Sequence, residues 1–365
     1  MTVDKPAGFQ APFTETNSVE LSRAKPDQAR TQIWGLIYLT HPAIQSKIKF
    51  MSTDRLPRTL LEAIRYFADI DVCTAFVAKL RWSDGPVCDR CGGVETSYLS
   101  TRRVWKCKAC KRQFSVKVGT IFEDSPLGLD KWLPAVWLVA NAKNGISSHE
   151  LGRSLGVTQK SAWFMLHRIR LAMQTGSFEK INTSAEVDET FIGGLAKNMH
   201  KAERARKITG TGGKVKAIVV GALERGGEVR AAVIPNRSAS VLEGFVRDNV
   251  TESATLYTDA LTSYRGLGTD YNHSTVDHAH EYVRGAIYTN GIENFWNLLK
   301  RSIRGTYVHI DPAHPFRFVE ERTFAFNNCK ENDFDRFGIA LGSISNRQLT
   351  YADRERISDR YRRKS

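Results

Sequence analysis

The stretch Asn290-Gly-Ile-Glu-Asn-Phe-Trp-Asn-Leu-Leu-Lys-Arg-Ser-Ile-Arg304 has the pattern of one amphipathic helix. Asn290 or Gly291 can open the helix, and apolar residues then recur at the three-or-four spacing of a buried face. These are Ile292, Phe295, Trp296, Leu299 and Ile303. Glu293 and Lys300 are separated by nearly two turns, so they stack on a neighbouring face with Arg304. Such a pair is by itself typical of a solvated surface, so a functional interpretation depends on partners elsewhere in the chain.

The composition favours a partner that carries negative charge. The chain has 365 residues, with 53 Lys and Arg against 39 Asp and Glu, for a formal net charge of +14. This length predicts two or three domains, and the charge favours nucleic acid. No apolar run approaches the length of a membrane-spanning helix, and residues 1–8 lack the apolar core of a secretory signal. We therefore expect a cytoplasmic protein.

Four of the six cysteines have the spacing of a metal site. Cys88 and Cys91 form one close pair and Cys107 and Cys110 another, with fifteen residues between the pairs. Four thiolates in this arrangement suit tetrahedral Zn²⁺, and the short strand-like segments between them predict a zinc ribbon. Its basic side chains are suited to contact phosphates. We expect the other two cysteines, Cys73 and Cys329, to be buried structural thiols.

A pair of helices is predicted downstream of the ribbon. Ser147 and Glu150 form a capping box, Gly156 lies in a turn, and Thr158 caps a second helix. The pattern indicates a helix-turn-helix whose second helix offers Gln159 and Lys160 to a major groove; a plain helical hairpin is the alternative.

Residues 183–330 have the composition of a mixed α/β domain. Strands are predicted at 185–193, 216–223, 228–234, 254–259 and, more weakly, 274–278, with a helix at 238–250. Three strands in meander order, followed by alternating helices and strands, is the order of a ribonuclease-H-like domain, although order alone leaves other mixed sheets open.

Three acidic residues fall where this topology can bring them together. Asp188 lies in the first strand, Asp259 ends the fourth, and Glu293 begins the late helix. Carboxylates without nearby imidazole or thiolate suit Mg²⁺ or Mn²⁺, and two such ions support in-line phosphoryl transfer. Lys300 and Arg304 are then placed to hold a phosphate backbone. Glu189 should point to the opposite face of its strand from Asp188.

Three blocks of the sequence together resemble the catalytic blocks of bacterial insertion-sequence transposases of the DDE class. They are Val187-Asp-Glu-Thr-Phe-Ile-Gly-Gly194, Tyr257-Thr-Asp-Ala260 followed by Tyr264, and Thr289-Asn-Gly-Ile-Glu-Asn-Phe-Trp-Asn-Leu-Leu-Lys-Arg301. The chain is most similar to the group with an N-terminal zinc ribbon and helix-turn-helix. The resemblance implies that Asp188, Asp259 and Glu293 are metal ligands and that Lys300, with Arg301 beside it, contacts DNA. Tyr288 stands where many relatives have a histidine, and some relatives replace the third acid by asparagine, which keeps Asn294 and Asn297 as alternatives.

The expected protein is an α/β transposase with a ribonuclease-H-like catalytic domain preceded by a zinc ribbon and a helix-turn-helix. It would bind the inverted-repeat ends of an insertion sequence in double-stranded DNA, then cut and join strands with two Mg²⁺ or Mn²⁺ ions, as a homodimer or larger assembly at the nucleoid. A catalytically silent DNA-binding regulator and a nuclease without strand joining are the alternatives.

The predicted organisation has five parts. They are a flexible leader at 1–45, a helical segment and zinc ribbon at 55–122, the helix-turn-helix at 126–176, the catalytic domain at 183–330 with a basic insertion at 195–215, and a charged tail at 331–365. A local group of His278, His280 and Glu281 is expected to have a structural or DNA-facing role.

Overall fold

A computed structural model of the chain describes residues 56–174, 179–193, 200–207, 216–276, 288–307, 310 and 314–345. The predicted leader and the group His278, His280 and Glu281 lie outside these residues. The basic insertion is described only around helix α6, Lys201–Lys207.

A five-stranded sheet organises the second half of the chain. Its strands are β4 Ser184–Ile192, β5 Ala217–Glu224, β6 Val229–Ile234, β7 Thr255–Asp259 and β8 Asn272–Val276. Their spatial order is β6-β5-β4-β7-β8, with β5 antiparallel to both β4 and β6, and β4, β7 and β8 mutually parallel. The five predicted strands are confirmed, and the sheet has the order expected of a ribonuclease-H-like domain.

Helices cover both faces of this sheet. Helix α7, Ala239–Asn249, and a 3₁₀ segment, Thr262–Thr269, pack with Ala185 and Val187 on one face. Helices α8, Asn290–Ser302, and α9, Pro315–Asn327, lie over the other face. The apolar residues that were predicted to be buried on α8 are buried: Ile292, Phe295, Trp296, Leu299 and Ile303. The sheet is therefore the middle layer of three.

The predicted late helix ends in an unusual turn. Its α-helical hydrogen bonding stops at Ser302, and a π-helical turn, Ile303–Tyr307, follows it. We call this segment the π-turn. Single π-helical turns are rare and frequently accompany functional sites.

The ribbon and two short helices form the first part of the described chain. Helices α1, Leu60–Tyr66, and α2, Ile70–Arg81, lie in the predicted helical segment, and Asp69 is the N-cap of α2. Strands β1 Thr96–Leu99, β2 Val104–Cys107 and β3 Gln113–Ser115 form a small antiparallel sheet. The ribbon is attached to α2 by an ion pair between Arg103 and Asp71, with 2.5 Å between nitrogen and oxygen.

Three helices link the ribbon to the sheet: α3 Leu129–Asn141, α4 Ser148–Leu155 and α5 Gln159–Ala172. Ser147 and Thr158 cap α4 and α5 as predicted, through hydrogen bonds to Glu150 N and Ser161 N. Gly156 makes the turn between α4 and α5 with a left-handed φ of 66°, a conformation in which a side chain would be strained.

The prediction of a charged tail from residue 331 is wrong for residues 331–344. Helix α10, Asp333–Gly342, buries Phe334, Phe337, Ile339 and Leu341. The Phe337 ring lies 5.6 Å from that of Phe67 and 5.1 Å from that of Trp137, between centroids. Residues 346–365 lie outside the described part.

Cys73 is buried as predicted, but Cys329 is exposed, so the prediction of a buried Cys329 is also wrong.

Candidate active site

Two adjacent parallel strands bring the predicted aspartates together. Val187 on β4 lies opposite Thr258 on β7, so the next residues along the two strands, Asp188 and Asp259, are neighbours at the same end of the sheet. A backbone N–H at Leu261 donates to Asp259 Oδ1 over 3.1 Å and orients that carboxylate. Carboxylate oxygens of Asp188, Glu189 and Asp259 lie within 4.8 Å of one another.

Helix α8 contacts this cluster through an indole. Trp296 Nε1 donates to Asp188 Oδ2 over 2.9 Å. Gly221 lies opposite Asp188 on β5, and a Cβ there would lie 2.8 Å from the Trp296 ring. A glycine is therefore needed at this position to admit the indole that orients Asp188.

The surroundings of Asp188 oppose its ionisation when no metal is bound. Burial raises the pKa of Asp188 to about 7, and the negative charges of Glu189 and Asp259 act in the same direction. The backbone N–H of Glu189 and the indole of Trp296 act against this rise. A bound cation would favour the ionised form of this carboxylate and offset both the burial and the neighbouring negative charges.

Glu189 belongs to the cluster although it points away from Asp188 along the strand. As predicted from strand alternation, it reaches the face covered by α7, where Tyr264 donates to Oε2 over 2.9 Å and Arg237 pairs with Oε1 at 3.2 Å. Its side chain is only 4% exposed. Strand alternation did not predict that the Glu189 carboxylate would nevertheless lie within 4.8 Å of those of Asp188 and Asp259.

Glu293 lies in the first turn of α8, as predicted, and its carboxylate is near the Thr289 hydroxyl at 3.4 Å. Among the residues that the structure describes, the carboxylates that meet within 4.8 Å do not include Glu293. Its assignment as third metal ligand stays a prediction.

The start of α8 is fixed by a buried ion pair. Glu186 on β4 accepts from the backbone N–H of Ile292 over 3.1 Å and pairs with Arg225 at 3.0 Å. The Arg225 guanidinium lies between the rings of Tyr257 and Tyr288, 3.8 Å and 3.9 Å from their centroids. A carboxylate at a helix N-terminus complements the helix dipole, so this pair helps to fix the turn that carries Glu293.

Basic side chains follow Glu293 along α8 and the π-turn. Burial lowers the pKa of Lys300; Arg304 and Lys216 act in the same direction, whereas Asp188 acts against them. Lys300 is thus close enough to Asp188 to sense its charge. Arg301 and Arg304 are exposed on the same part of the chain.

The four predicted zinc ligands also meet. The Sγ atoms of Cys88 and Cys110 lie 3.5 Å apart, and those of Cys91 and Cys107 lie 3.6 Å apart. Sulfurs around a tetrahedral Zn²⁺ are separated by about 3.8 Å, so the spacing of these four cysteine sulfurs fits this ion. Both pairs are followed by a left-handed residue, Gly92 with φ 72° and Lys111 with φ 62°.

Family comparisons agree with both centres. Residues 181–327 match the family model of the ISXO2-like transposase domain, and residues 70–113 match that of a transposase zinc-ribbon domain. The chain belongs to the ISXO2-like transposase family. It therefore carries a DDE transposase domain, as the three sequence blocks predicted, and a transposase zinc ribbon, as the cysteine spacing predicted.

Two relatives share part of the sequence of this transposase. An "uncharacterized protein in transposable element ISH50" of Halobacterium salinarum is 28% identical over 239 residues, which cover 62% of this chain and 80% of the relative. An "uncharacterized transposase-like protein" of Haemophilus influenzae is 30% identical over 104 residues, which cover 28% of this chain and 84% of the relative.

The predicted DNA-reading residues of the transposase lie at the solvent-exposed start of α5. Gln159 and Lys160 are both exposed. The Gln159 amide also donates to Ser148 Oγ over 2.8 Å and so links the first turns of α4 and α5.

In the described part of the transposase, no helix is long and apolar enough to cross a membrane.

Several residues that build the transposase site were not found from its sequence. Periodicity assigned Trp296 to the core, which is correct, but cannot show that its indole donates to Asp188. A buried Glu186 two residues before Asp188 was an available signal, because an acidic residue in an apolar strand needs a partner. The partner, Arg225, is distant in sequence and is identified only by the fold.

Proposed function

We propose that this transposase binds the inverted-repeat ends of an insertion sequence and catalyses divalent-metal-dependent DNA cleavage and strand transfer. The observation that carries the proposal is the meeting of Asp188 and Asp259 at the ends of parallel strands, beside a helix that presents Glu293 and Lys300. The proposed site of action is the nucleoid.

Asp188, Asp259 and Glu293 are the proposed ligands of two Mg²⁺ or Mn²⁺ ions. Their donor set is carboxylate oxygen, which these ions prefer. Such ions, when bound, activate the attacking water or 3′-hydroxyl and stabilise the leaving oxygen of an in-line displacement. Trp296 and the Leu261 N–H orient the two aspartates, and Glu186 with Arg225 fixes the turn that carries Glu293.

Basic residues along α8 and the π-turn are proposed to hold the DNA backbone. Lys300, Arg301 and Arg304 follow Glu293 along the chain, and cations of this kind bind phosphate irrespective of sequence. Gln159 and Lys160 on α5, together with the ribbon held by a structural Zn²⁺, are the proposed readers of the element ends. Because two ends must be held together for strand transfer, we propose a homodimer or larger assembly.

The test uses duplexes that carry the DNA flanking this gene, with labelled 3′ ends and Mg²⁺. Asp188→Asn, Asp259→Asn and Glu293→Gln should each reduce cut and joined products by about a thousandfold or more while end binding remains near the wild-type level. Asp248→Asn, on the exposed surface of α7, is the matched control and should retain full activity.

The products separate the alternatives. Cut ends without joined strands indicate a nuclease, and binding without any cutting indicates a regulator. Strand transfer at the wild-type level by Glu293→Gln would remove that residue from the ligand set and direct attention to Glu189.

A further inference from the structure

The two ends of helix α5 have opposite environments. Gln159 and Lys160 at its start are exposed, whereas the Arg170 side chain in its last turn is 2% exposed. An arginine this deeply buried must be paired, because an isolated charge in the interior is costly. Its partners therefore show what α5 is attached to.

Arg170 joins α5 to α9 and to the π-turn. Its Nε lies 2.5 Å from Glu321 Oε2 on α9, and the Glu321 side chain is 8% exposed. Tyr307, the last residue of the π-turn, donates its hydroxyl to Glu321 Oε1 over 2.5 Å. The Arg170 guanidinium lies 5.0 Å from the Tyr307 ring centroid. One buried carboxylate thus connects α5 with the segment that follows α8.

The π-turn also holds the loop that leads into α4. Thr306 Oγ1 donates to the Asn144 carbonyl over 2.9 Å. Gly145 has a left-handed φ of 80°, and a Cβ there would overlap the Tyr307 hydroxyl. The loop is therefore shaped around the Tyr307 side chain, whose hydroxyl donates its hydrogen bond to Glu321.

We propose that Tyr307 is a positioning residue that sets the distance between the DNA-reading end of α5 and the cutting helix α8, so that the cut falls at a fixed phosphate relative to the bound sequence. The inference rests on the proposed function, because it assumes that α5 reads DNA and that the carboxylate site cuts it. Neither the family blocks nor the carboxylate cluster includes Tyr307.

The length of helix α5 makes its reading end sensitive to small movements at Arg170. Gln159 precedes Arg170 by 11 residues, which is about 17 Å of α-helix. A tilt of about 10° at the Arg170 anchor would move the reading end by about 3 Å. Since successive phosphates on one strand are about 3.4 Å apart along the duplex axis, a small loss of rigidity at the π-turn suffices to change which phosphate is cut.

The experiment compares Tyr307→Phe with wild-type protein on the flanking-DNA duplexes at one fixed salt concentration, with cleavage mapped to the nucleotide. Tyr271→Phe is the matched control, because its buried hydroxyl also makes a hydrogen bond, to the Val250 carbonyl at 3.2 Å, but lies apart from the π-turn. Tyr307→Phe should bind the ends within about twofold of wild type, cut the wild-type phosphate about tenfold less, and distribute products over neighbouring phosphates. The control should leave all three unchanged.

Thr306→Val loosens the same junction at the surface and replaces Tyr307→Phe if that variant fails to fold. The same spread of cleavage positions is expected from it. A single wild-type cut at the wild-type rate in the folded variant would overturn the positioning role and leave the proposed function intact. A wild-type protein that binds the ends but cuts none of the duplexes would instead contradict the proposed function. The positioning role of Tyr307 would then be contradicted as well, because it depends on that function.

Discussion

At the scale of single residues, the raised pKa of Asp188 links the proposed metal site to the stability of the fold. Its pKa is raised to about 7 from an ordinary 3.8, mainly by burial and then by Glu189 and Asp259. The folded protein therefore holds a proton that the unfolded chain has lost. The resulting contribution to stability is fully present below about pH 4 and is lost as the pH rises through about 7.

Asp188→Asn should consequently stabilise the protein when no Mg²⁺ or Mn²⁺ is added. We expect an increase in the free energy of unfolding on the order of 2 kcal/mol at pH 8, which shrinks as the pH is lowered toward 5. Urea unfolding across this range measures it, and Asp248→Asn is the control. Added Mg²⁺ at pH 8 should stabilise wild type and not Asp188→Asn. If the free energy of unfolding of Asp188→Asn exceeded that of wild type by the same amount at every pH, the raised pKa of Asp188 would be contradicted.

At the scale of elements, local sequence predicted helix α8 well but not the contacts that it makes with the rest of the fold. Its start at Asn290 and its buried face followed from the local sequence, as did the strands β4, β5 and β7. Periodicity identifies a buried face but not the element that covers it. The π-turn, the burial of Arg170 and the role of Glu186 depend on contacts between residues at least 14 positions apart, and local sequence reasoning could not find them. Helix α10 was missed because Asp333, Asp335 and Arg336 surround its phenylalanines with charge.

The buried ion pair Glu186–Arg225 should contribute far more to the free energy of unfolding than an ion pair on the surface. Arg225→Ala leaves Glu186, whose side chain is 2% exposed, without its charged partner, and should reduce the free energy of unfolding by about 3 kcal/mol. Arg247→Ala removes an arginine that is 46% exposed and paired with Glu243 and Asp270; its cost should stay below about 1 kcal/mol. Urea unfolding of both variants gives the comparison. Equal costs would show that the start of α8 is not anchored by this pair.

At the scale of the whole molecule, we expect the ribbon to depend on a bound Zn²⁺ and the five-stranded sheet to depend on its apolar core. Zinc ribbons of this size have little apolar interior, so their ligands supply most of the folding free energy. Cys107→Ser should therefore abolish zinc binding and reduce end binding by at least about tenfold, while the circular dichroism of the catalytic domain changes little. Elemental analysis and a duplex-binding assay check the two effects, with Cys329→Ser as the control because that thiol is exposed. A zinc content equal to that of wild type in Cys107→Ser would contradict the four-thiolate site.

The return of α10 to the first helices has a consequence for the order in which the protein is made. Phe337 packs against Phe67, Phe76 and Trp137, so the helices at the start of the described chain wait for a phenylalanine that is synthesised 261 residues after Phe76. At ordinary rates of translation this is a delay of about 13 to 50 s. During that interval the nascent chain presents Phe67 and Phe76 without the ring of Phe337 beside them, and translation that stops before residue 333 yields a protein that never acquires these contacts.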